Sequence, residues 1–351
     1  MKILRQIILV HRHGDRCPGI IGSSQSSEMN GWLQTLGDTQ LAHKYPIRSS
    51  HSDPPKHYHP PIGRLTQRGG DQLTKLGRQL RKSYPTLTTS PTVFASNYYR
   101  TQQSAAFLLD GLNAKKGTEI HVRPFDECVI DPFSRYTQIH KLTTEMARSA
   151  LFRKHEQQHG LDPIRQKLEQ MPCFAEPENA FQWFSAVDVL TCHRYHPDLL
   201  KPQSIQELLP YTKMSEDYLF WRFKQYYSSS EVMKLACGDL LSEILSTMSS
   251  STITATATTT TASPTPSSTT IPLTVYSGHD VTVMPLAWIF GHQWSAWPDY
   301  ASHMVLEIWG NNENDTSVVA KLNSELNQPT LDTICELSLD ELKVIVDHMY
   351  A

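Results

Sequence analysis

The sequence contains no apolar run of the roughly 18 to 20 residues that a membrane-spanning helix requires. Its six cysteines show no CxxC spacing, which argues against a zinc ribbon or thioredoxin-like chemistry and favours free buried thiols. No basic stripe is present, and a formal net charge of -3 argues against nucleic acid as a partner. No internal repeat is visible. These absences predict a soluble globular protein without a membrane span.

The chain has 351 residues, 39% of them hydrophobic, and can bury a large core. This length exceeds what one compact domain usually holds, so we expect two domains or one domain with a large insertion. The apolar start, residues 3–10, runs straight into a polar segment and predicts a strand rather than a signal peptide. A cytoplasmic location is expected, or a secreted or organellar one if the chain is trimmed at its front.

A cluster of cationic side chains follows this first strand. The branched run 7–10 predicts a buried strand, and Arg12, His13 and Arg16 come directly after it. Gly14 is expected to let the chain turn abruptly, so that these side chains converge. Because arginine forks match phosphate oxygens and stay charged at any working pH, the segment predicts a phosphate site in which His13 attacks phosphorus.

Two further strands lead into polar residues of the same kind. Residues 92–96 predict a strand that hands over to a helix at 105–112, with Arg100 between them. Ligands of a parallel α/β sheet bind beyond the carboxyl ends of its strands, so Arg100 is expected to be a third phosphate clamp. A surface ion pair is the alternative for this residue.

The third strand, residues 273–278, is followed by His279, Asp280 and a helical run at 281–290. Alone, such a pair is a weak indication of a functional site, because histidine is often a core residue and aspartate is a common helix N-cap. Its position after a strand of the same character as the first strengthens the assignment to the site.

Three motifs together resemble the signatures of the histidine acid phosphatases, branch 2 of the histidine phosphatase superfamily. They are Arg-His-Gly-x-Arg-x-Pro at 12–18, Arg-Thr-x-x-Ser-Ala at 100–105, and His-Asp at 279–280. The resemblance implies a three-layer α/β fold like that of phosphoglycerate mutase, with an inserted α-helical cap domain.

The resemblance also implies an acid phosphatase that hydrolyses phosphomonoesters. In it, His13 is the nucleophile that forms a phosphohistidine, and Asp280 protonates the leaving oxygen. The residues implied to bind the substrate phosphate are Arg12, Arg16, Arg100 and His279. An ordinary aspartate loses its proton near pH 4, so an acidic optimum is expected. Arginines and an imidazole stabilise the transition state without a metal, and no metal or other cofactor is expected.

Within the family, residues 279–286 and 297–301 most resemble the branch of the lysophosphatidic acid phosphatases (type 6), which implies that lipid as a substrate. A phytase or inositol polyphosphate phosphatase stays open as an alternative, as does a non-catalytic phosphate-binding relative. A phosphohistidine mutase is disfavoured by the x-Arg-x-Pro continuation. The expected partner is a small phosphomonoester, and the oligomeric state is left open.

Composition divides the chain into regions. Residues 1–125 and 230–351 are predicted to form a discontinuous α/β catalytic domain, and the aromatic-rich residues 126–229 an α-helical cap. Within the catalytic domain, the Ser/Thr-rich run 246–268 is predicted to be a disordered loop, because it cannot bury enough apolar surface to fold.

Capping signals predict two more helices. Thr66 suits the N-cap of an amphipathic helix over 65–84, and Ser338 with Glu341 forms a capping box that opens a final helix. A strand is predicted at 302–309.

The stretch 19–63 is predicted to be an irregular loop region over the site. Its histidines His51, His57 and His59 favour a substrate-facing or solvated loop over a metal site, because the setting is rich in proline and lacks helical spacing. A glycosylation sequon at 314–316 matters only in a secreted protein.

Overall fold

The structure is a computed structural model of the chain. It describes residues 2–21, 27–37, 40–52, 54–55, 59–174, 181–199, 201–256, 270–310, 316–323 and 331–350. Among these residues, no helix is both long enough and apolar enough to cross a membrane. All six cysteines are free.

An eight-stranded sheet in the order β2-β4-β3-β5-β1-β6-β7-β8 forms the centre of the fold. The strands are β1 Ile3–Arg12, β2 Ile47–Ser49, β3 Thr92–Ala95, β4 Ile120–Val122, β5 Leu273–Gly278, β6 His303–Gly310, β7 Thr316–Asn323 and β8 Asp332–Ser338. The half from β2 to β1 is parallel, whereas β6, β7 and β8 pair antiparallel. The sheet is therefore mixed, with the predicted site strands in its parallel half.

The helices flank this sheet or lie beyond one end of it. They are α1 Ser27–Gln34, α2 Leu41–Lys44, α3 Gln67–Ser83, α4 Tyr99–Gly111, α5 Pro132–Arg135, α6 Thr137–Ala147, α7 Ala150–Gln158, α8 Asp162–Glu169, α9 Trp183–Tyr195, α10 Gln203–Leu208, α11 Thr212–Tyr227, α12 Ser230–Met233, α13 Asp239–Thr256, α14 Asp280–Ile289 and α15 Leu339–Tyr350. Short 3-10 helices occupy Phe125–Glu127, Pro172–Phe174 and Leu209–Tyr211, and a π-helix occupies Lys234–Gly238.

Strand β1 shows why the fold has three layers. Its residues Ile7 and Leu9 pack into one hydrophobic cluster with α3 and α4, and Ile8 and Val10 pack into another with α13, α14 and α15. All four side chains are fully buried. Successive strand residues point to opposite faces, so an unbroken apolar run is what a strand covered on both sides requires. The predicted three-layer α/β architecture is confirmed.

Several predicted elements are confirmed with shifted ends. Helix α3 begins after Thr66, whose hydroxyl accepts a hydrogen bond from the Gly69 amide, as an N-cap does. The capping box before α15 is present, since Glu341 accepts from the Ser338 amide and the Ser338 hydroxyl accepts from the Glu341 amide. Helix α4 begins earlier than predicted, at Tyr99 rather than at residue 105.

Two predicted loops are partly regular. The stretch 19–63 contains α1, α2 and β2, so it is not irregular throughout. Helix α13 continues to Thr256, so residues 246–256 are helical where the sequence predicts the start of a disordered loop. Met248 is fully buried in the cluster below that helix, and such packing favours the helix at the start of the Ser/Thr-rich run. The rest of that predicted loop, 257–268, lies outside the described residues.

The described residues from α5 to α11 add no strand to the sheet. A separate hydrophobic cluster joins α8, α9 and α11, and its members include Leu168, Trp183 and Tyr218. Phe152 and Phe223 instead pack into the cluster beneath the sheet, which ties this helical region to the α/β core. A cap over residues 126–229 stays a prediction that this arrangement supports.

Candidate functional site

The three motifs leave the sheet at one edge. Arg12, the last residue of β1, pairs with Gly278 of β5, and Ala95 of β3 pairs with Ser277. These strands are parallel neighbours, so the residues that follow them emerge side by side at the carboxyl ends. Residues far apart in the sequence are thereby brought to one place.

A cavity of about 760 Å³ opens at this edge, between the sheet and the helical region. Among the residues that the structure describes, its lining includes these predicted site residues: His13, Arg16, Arg100, His279 and Asp280. Arg12 is not among the residues that line the cavity, and its Nη2 lies 2.8 Å from Asp280 Oδ2. The predicted site residues thus belong to one cluster, with Arg12 one contact further from the open space.

Gly14 is required for a reason other than the predicted turn. It does not adopt a left-handed conformation. A Cβ at this position would lie 2.4 Å from the Gly69 carbonyl oxygen, because the start of α3 packs directly against the motif. Glycine therefore permits a close approach of two backbones, which holds the loop after β1 against a helix.

His13 is buried and held in one tautomer. Its Nδ1 lies 2.8 Å from the carbonyl oxygen of Gly14, and since a carbonyl only accepts, Nδ1 carries the proton. The lone pair is then on Nε2. Burial lowers the pKa of His13 well below its ordinary value, and the nearby charges of Arg100, Arg12 and Arg16 lower it further. The ring is therefore neutral, and its Nε2 is nucleophilic even in mildly acidic solution.

Arg16 is fixed by an acid from the helical region. Its Nη2 lies 2.6 Å from Asp188 Oδ1 and its Nη1 3.1 Å from Asp188 Oδ2, a two-pronged pair. Asp188 Oδ2 also accepts from the Gly19 amide at 2.7 Å. Burial alone would raise the pKa of Asp188, but Arg16 and the Gly19 amide outweigh it and hold that pKa below its ordinary value. The pair therefore stays ionised and sets the direction of the guanidinium.

Replacing Asp188 with asparagine is expected to lower kcat about 10- to 100-fold, because Arg16, a predicted phosphate ligand, loses the ion pair that orients it. Inhibition by inorganic phosphate is expected to change by less than about threefold, since the arginine keeps its charge. Steady-state kinetics with p-nitrophenyl phosphate measure both quantities. Asp162→Asn, at an exposed position of α8, is the matched control. A kcat equal to that of the control would refute the positioning role.

Arg100 and His279 face each other across the floor of the cavity. Arg100 Nη2 lies 3.4 Å from His279 Nδ1, and His279 Nε2 lies 2.8 Å from the Ser96 hydroxyl. A guanidinium only donates, so in this arrangement Nδ1 accepts and Nε2 donates to Ser96. Burial lowers the pKa of Arg100 to about 10, with a further contribution from Arg16, and the group stays charged at neutral and acidic pH. The Tyr98 ring lies 4.1 Å from its guanidinium carbon.

Asp280 begins helix α14, and its two oxygens have different partners. Oδ2 accepts from Arg12 and from the Trp297 indole at 3.1 Å, whereas Oδ1 accepts from the Val281 amide at 2.9 Å. The first turn of a helix is a favourable position for a carboxylate. The side chain is thus fixed from two sides, with the cavity in front of it.

Sequence reasoning missed Asp188, Trp297, Ser96 and Tyr98. Asp188 carries the one usable signal, because it is a lone acid within the apolar run Ala186–Leu190 of a helix, where a charge needs a partner. Its partner is 172 positions away. Ser96 and Tyr98 flank the predicted strand end but resemble ordinary turn residues.

The predicted loop over the site is replaced by helices. No described residue of 19–63 lines the cavity, and its outer wall comes from α6, α7, α8, α9 and α11. His57 and the sequon residues 314–315 lie outside the described residues.

The comparisons with known proteins agree with this geometry. A family model described as the histidine phosphatase superfamily (branch 2) matches residues 3–323. Prostatic acid phosphatase of Bos taurus is 25% identical over 331 residues, covering 88% of this chain and 74% of the relative. Lysophosphatidic acid phosphatase type 6 of Bos taurus is 25% identical over 347 residues, covering 89% of this chain and 75% of the relative.

The similarity to a solved structure bears on the fold only. The phytase from Citrobacter braakii superposes with a TM-score of 0.59 at 17% identity, covering 99% of this chain and 98% of the phytase. The shared architecture therefore extends over both the sheet and the helical region.

Proposed function

This chain belongs to branch 2 of the histidine phosphatase superfamily, and we propose that it hydrolyses phosphomonoesters through a phosphohistidine formed on His13. One observation carries the proposal. The Nδ1 of His13 is bound to the Gly14 carbonyl, so a nucleophilic Nε2 is available in a cavity that Arg16, Arg100 and Asp280 share.

In the first step, Nε2 of His13 attacks phosphorus in line with the ester oxygen. The N–P bond forms as the P–O bond breaks, and the proton of the Asp280 carboxyl passes to the leaving oxygen. Water then attacks phosphorus, Asp280 takes its proton, and the N–P bond breaks to release inorganic phosphate. Both half-reactions use the same carboxyl group.

Positive charge around the phosphoryl group stabilises the loose transition state. Arg16 and Arg100 bind its equatorial oxygens. His279, which contacts Arg100, is assigned to a third oxygen. Arg12 is assigned to phosphate binding as well, and its ion pair with Asp280 places its charge beside the leaving oxygen.

The finer assignment to lysophosphatidic acid is supported by an aromatic wall near the proton donor. The ring centroid of Phe223 lies 4.9 Å from that of Trp297, whose indole donates a hydrogen bond to Asp280. Phe184 and Phe223 both line the cavity. An inositol polyphosphate phosphatase is favoured instead by the arginines on the outer wall. A non-catalytic phosphate-binding protein is disfavoured, because every residue to which the mechanism assigns a chemical role is present.

The accompanying assignments stay predictions. They are a cap over residues 126–229 that selects the substrate, a small phosphomonoester as the partner, and a cytoplasmic location.

Turnover of p-nitrophenyl phosphate tests the proposal. We expect a rate at pH 5 roughly tenfold or more above that at pH 8, because the proton donor must be neutral. The lowered pKa of His13 keeps the nucleophile unprotonated at the lower pH. A panel of lysophosphatidate, inositol hexakisphosphate and phosphotyrosine then ranks the substrates. No turnover at any pH, or a maximum at pH 8, would contradict the proposal.

A further inference from the structure

Asp131 is a buried acid at the site that has no role in the proposed mechanism. It lies between the 3-10 helix Phe125–Glu127 and α5, is 4% exposed, and lines the cavity together with Arg100 and His279. Its charge acts on Arg100. A carboxylate at this place repels a fully deprotonated phosphate group, which the neighbouring arginine attracts.

The two oxygens of Asp131 differ in their contacts. Oδ1 accepts a hydrogen bond from the Ser134 amide at 3.3 Å, because Asp131 is the N-cap of α5. Oδ2 is buried and has no hydrogen-bond donor within the described part of the chain. Buried polar atoms are almost always hydrogen-bonded, and an unpaired one costs free energy. Oδ2 is therefore an acceptor that a bound molecule can satisfy.

The segment that carries Asp131 is fixed against the turn that carries His279. The Thr282 hydroxyl donates to the Ile130 carbonyl at 2.5 Å and accepts from the His279 amide at 2.9 Å. Gly278 contacts the same segment so closely that a Cβ there would lie 2.6 Å from the Ile130 side chain. The carboxylate is therefore held in place beside residues that are assigned to the phosphate.

The proton donor has a different set of partners. Asp280 accepts from Arg12 and from the Trp297 indole. Asp131 instead acts on Arg100, which is assigned to an equatorial oxygen. Asp131 therefore belongs with the groups that bind the phosphoryl oxygens rather than with those around the leaving alcohol.

The chemistry of a carboxylate limits what Asp131 can bind. An ionised carboxylate accepts hydrogen bonds and donates none, so a phosphoryl oxygen that faces it must carry a hydrogen. The monoanion of a phosphomonoester presents one such P–OH group, and it predominates below about pH 6. The dianion would place two acceptor oxygens against each other and leave a buried charge unpaired.

We propose that Asp131 selects the protonation state of the substrate: its Oδ2 accepts a hydrogen bond from the P–OH group of the phosphomonoester monoanion. This inference rests on the proposed phosphatase activity and specifies the form of phosphate that the site binds. The same contact discriminates between oxyanions of similar shape. Inorganic phosphate carries at least one hydrogen at about pH 6, whereas sulfate carries none and offers nothing to the carboxylate.

Isothermal titration calorimetry with inorganic phosphate and with sulfate at about pH 6 tests the inference. In the unaltered protein, Kd for phosphate is expected to be at least about tenfold lower than Kd for sulfate, because a hydrogen bond to an ionised group is strong. In Asp131→Asn this ratio is expected to fall to about threefold or less, because the amide donates to an unprotonated oxygen. Asparagine is as good an N-cap as aspartate, so α5 is retained.

Glu156→Gln is the matched control. Glu156 also lines the cavity, but it accepts from the Tyr218 hydroxyl and lies 3.8 Å from Arg222 Nη1. Its replacement removes one negative charge from the same cavity, and the ratio of the two Kd values is expected to stay within about twofold of the unaltered protein. Asp131→Ser, which also suits an N-cap but has no carboxylate, is expected to lose the discrimination as Asp131→Asn does.

Three results would overturn the inference: equal affinities of the unaltered protein for the two anions, an unchanged ratio in the folded Asp131 variants, or an equal fall of the ratio in the Glu156→Gln protein. Calorimetry requires no turnover. A protein that prefers phosphate through Asp131 but hydrolyses no p-nitrophenyl phosphate would therefore refute the proposed function and leave the selectivity of the site intact.

Discussion

Replacing His13 with alanine is expected to abolish phosphatase activity, with kcat at least about 10⁴-fold lower. The structure gives the reason. In the proposed mechanism the imidazole is the neutral nucleophile, oriented by the hydrogen bond from its Nδ1 to the Gly14 carbonyl, and a methyl group offers no electron pair to phosphorus. Turnover of p-nitrophenyl phosphate at pH 5 is the measurement, on protein whose circular dichroism matches that of the unaltered chain.

His348→Ala serves as the control, because His348 is exposed on α15. We expect the control to keep its full activity. Substantial turnover by the folded His13→Ala protein would mean that another group attacks phosphorus, and the assignment of the nucleophile would be wrong.

Replacing Asp280 with asparagine is expected to lower kcat for an alkyl phosphate about 10²- to 10⁴-fold. The amide has the size of the carboxyl group but does not protonate the leaving alkoxide. For p-nitrophenyl phosphate the first step should suffer far less, since nitrophenolate leaves without a proton. The second step still lacks its base, so the phosphoenzyme should accumulate, and a burst of nitrophenolate would report it.

The corresponding control is Asp126→Asn, an exposed acid of the 3-10 helix Phe125–Glu127. It is expected to behave as the unaltered protein does. Equal losses of kcat/KM on alkyl and nitrophenyl substrates would show that Asp280 acts by charge or position rather than as the proton donor, because kcat/KM reports the first step alone.

The cluster of site residues at the carboxyl ends of the strands was predictable, because the sequence patterns that indicate it are local. Buried strands end in Arg12-His13, in the segment before Arg100 and in His279-Asp280, and parallel strands place such ends together. The pairing of Arg16 with Asp188 was not predictable, because it joins a loop to a helix 172 positions away and no local pattern encodes that contact. The pairing of Arg12 with Asp280 was not predictable either, because these two residues are far apart in the sequence.

The errors about loops have a different origin. Composition predicted a disordered loop over 246–268, because a Ser/Thr-rich run cannot bury enough apolar surface to fold. Ile244 and Met248 of α13 are buried in the cluster beneath the sheet, and tertiary packing of this kind is invisible to composition. The sequence singled out Gly14 for a turn, whereas the structure requires glycine there because the backbone of Gly69 approaches it closely. Gly69 belongs to a helix that lies beyond a long intervening segment, so no local pattern indicates this contact.

The covalent intermediate is the most direct test of the account. Asp280→Asn protein is mixed with p-nitrophenyl phosphate, quenched in alkali, digested and mapped by mass spectrometry. We predict an acid-labile phosphoryl group on the peptide that contains His13. A phosphoryl group on any other residue, or none during a confirmed burst, would contradict it.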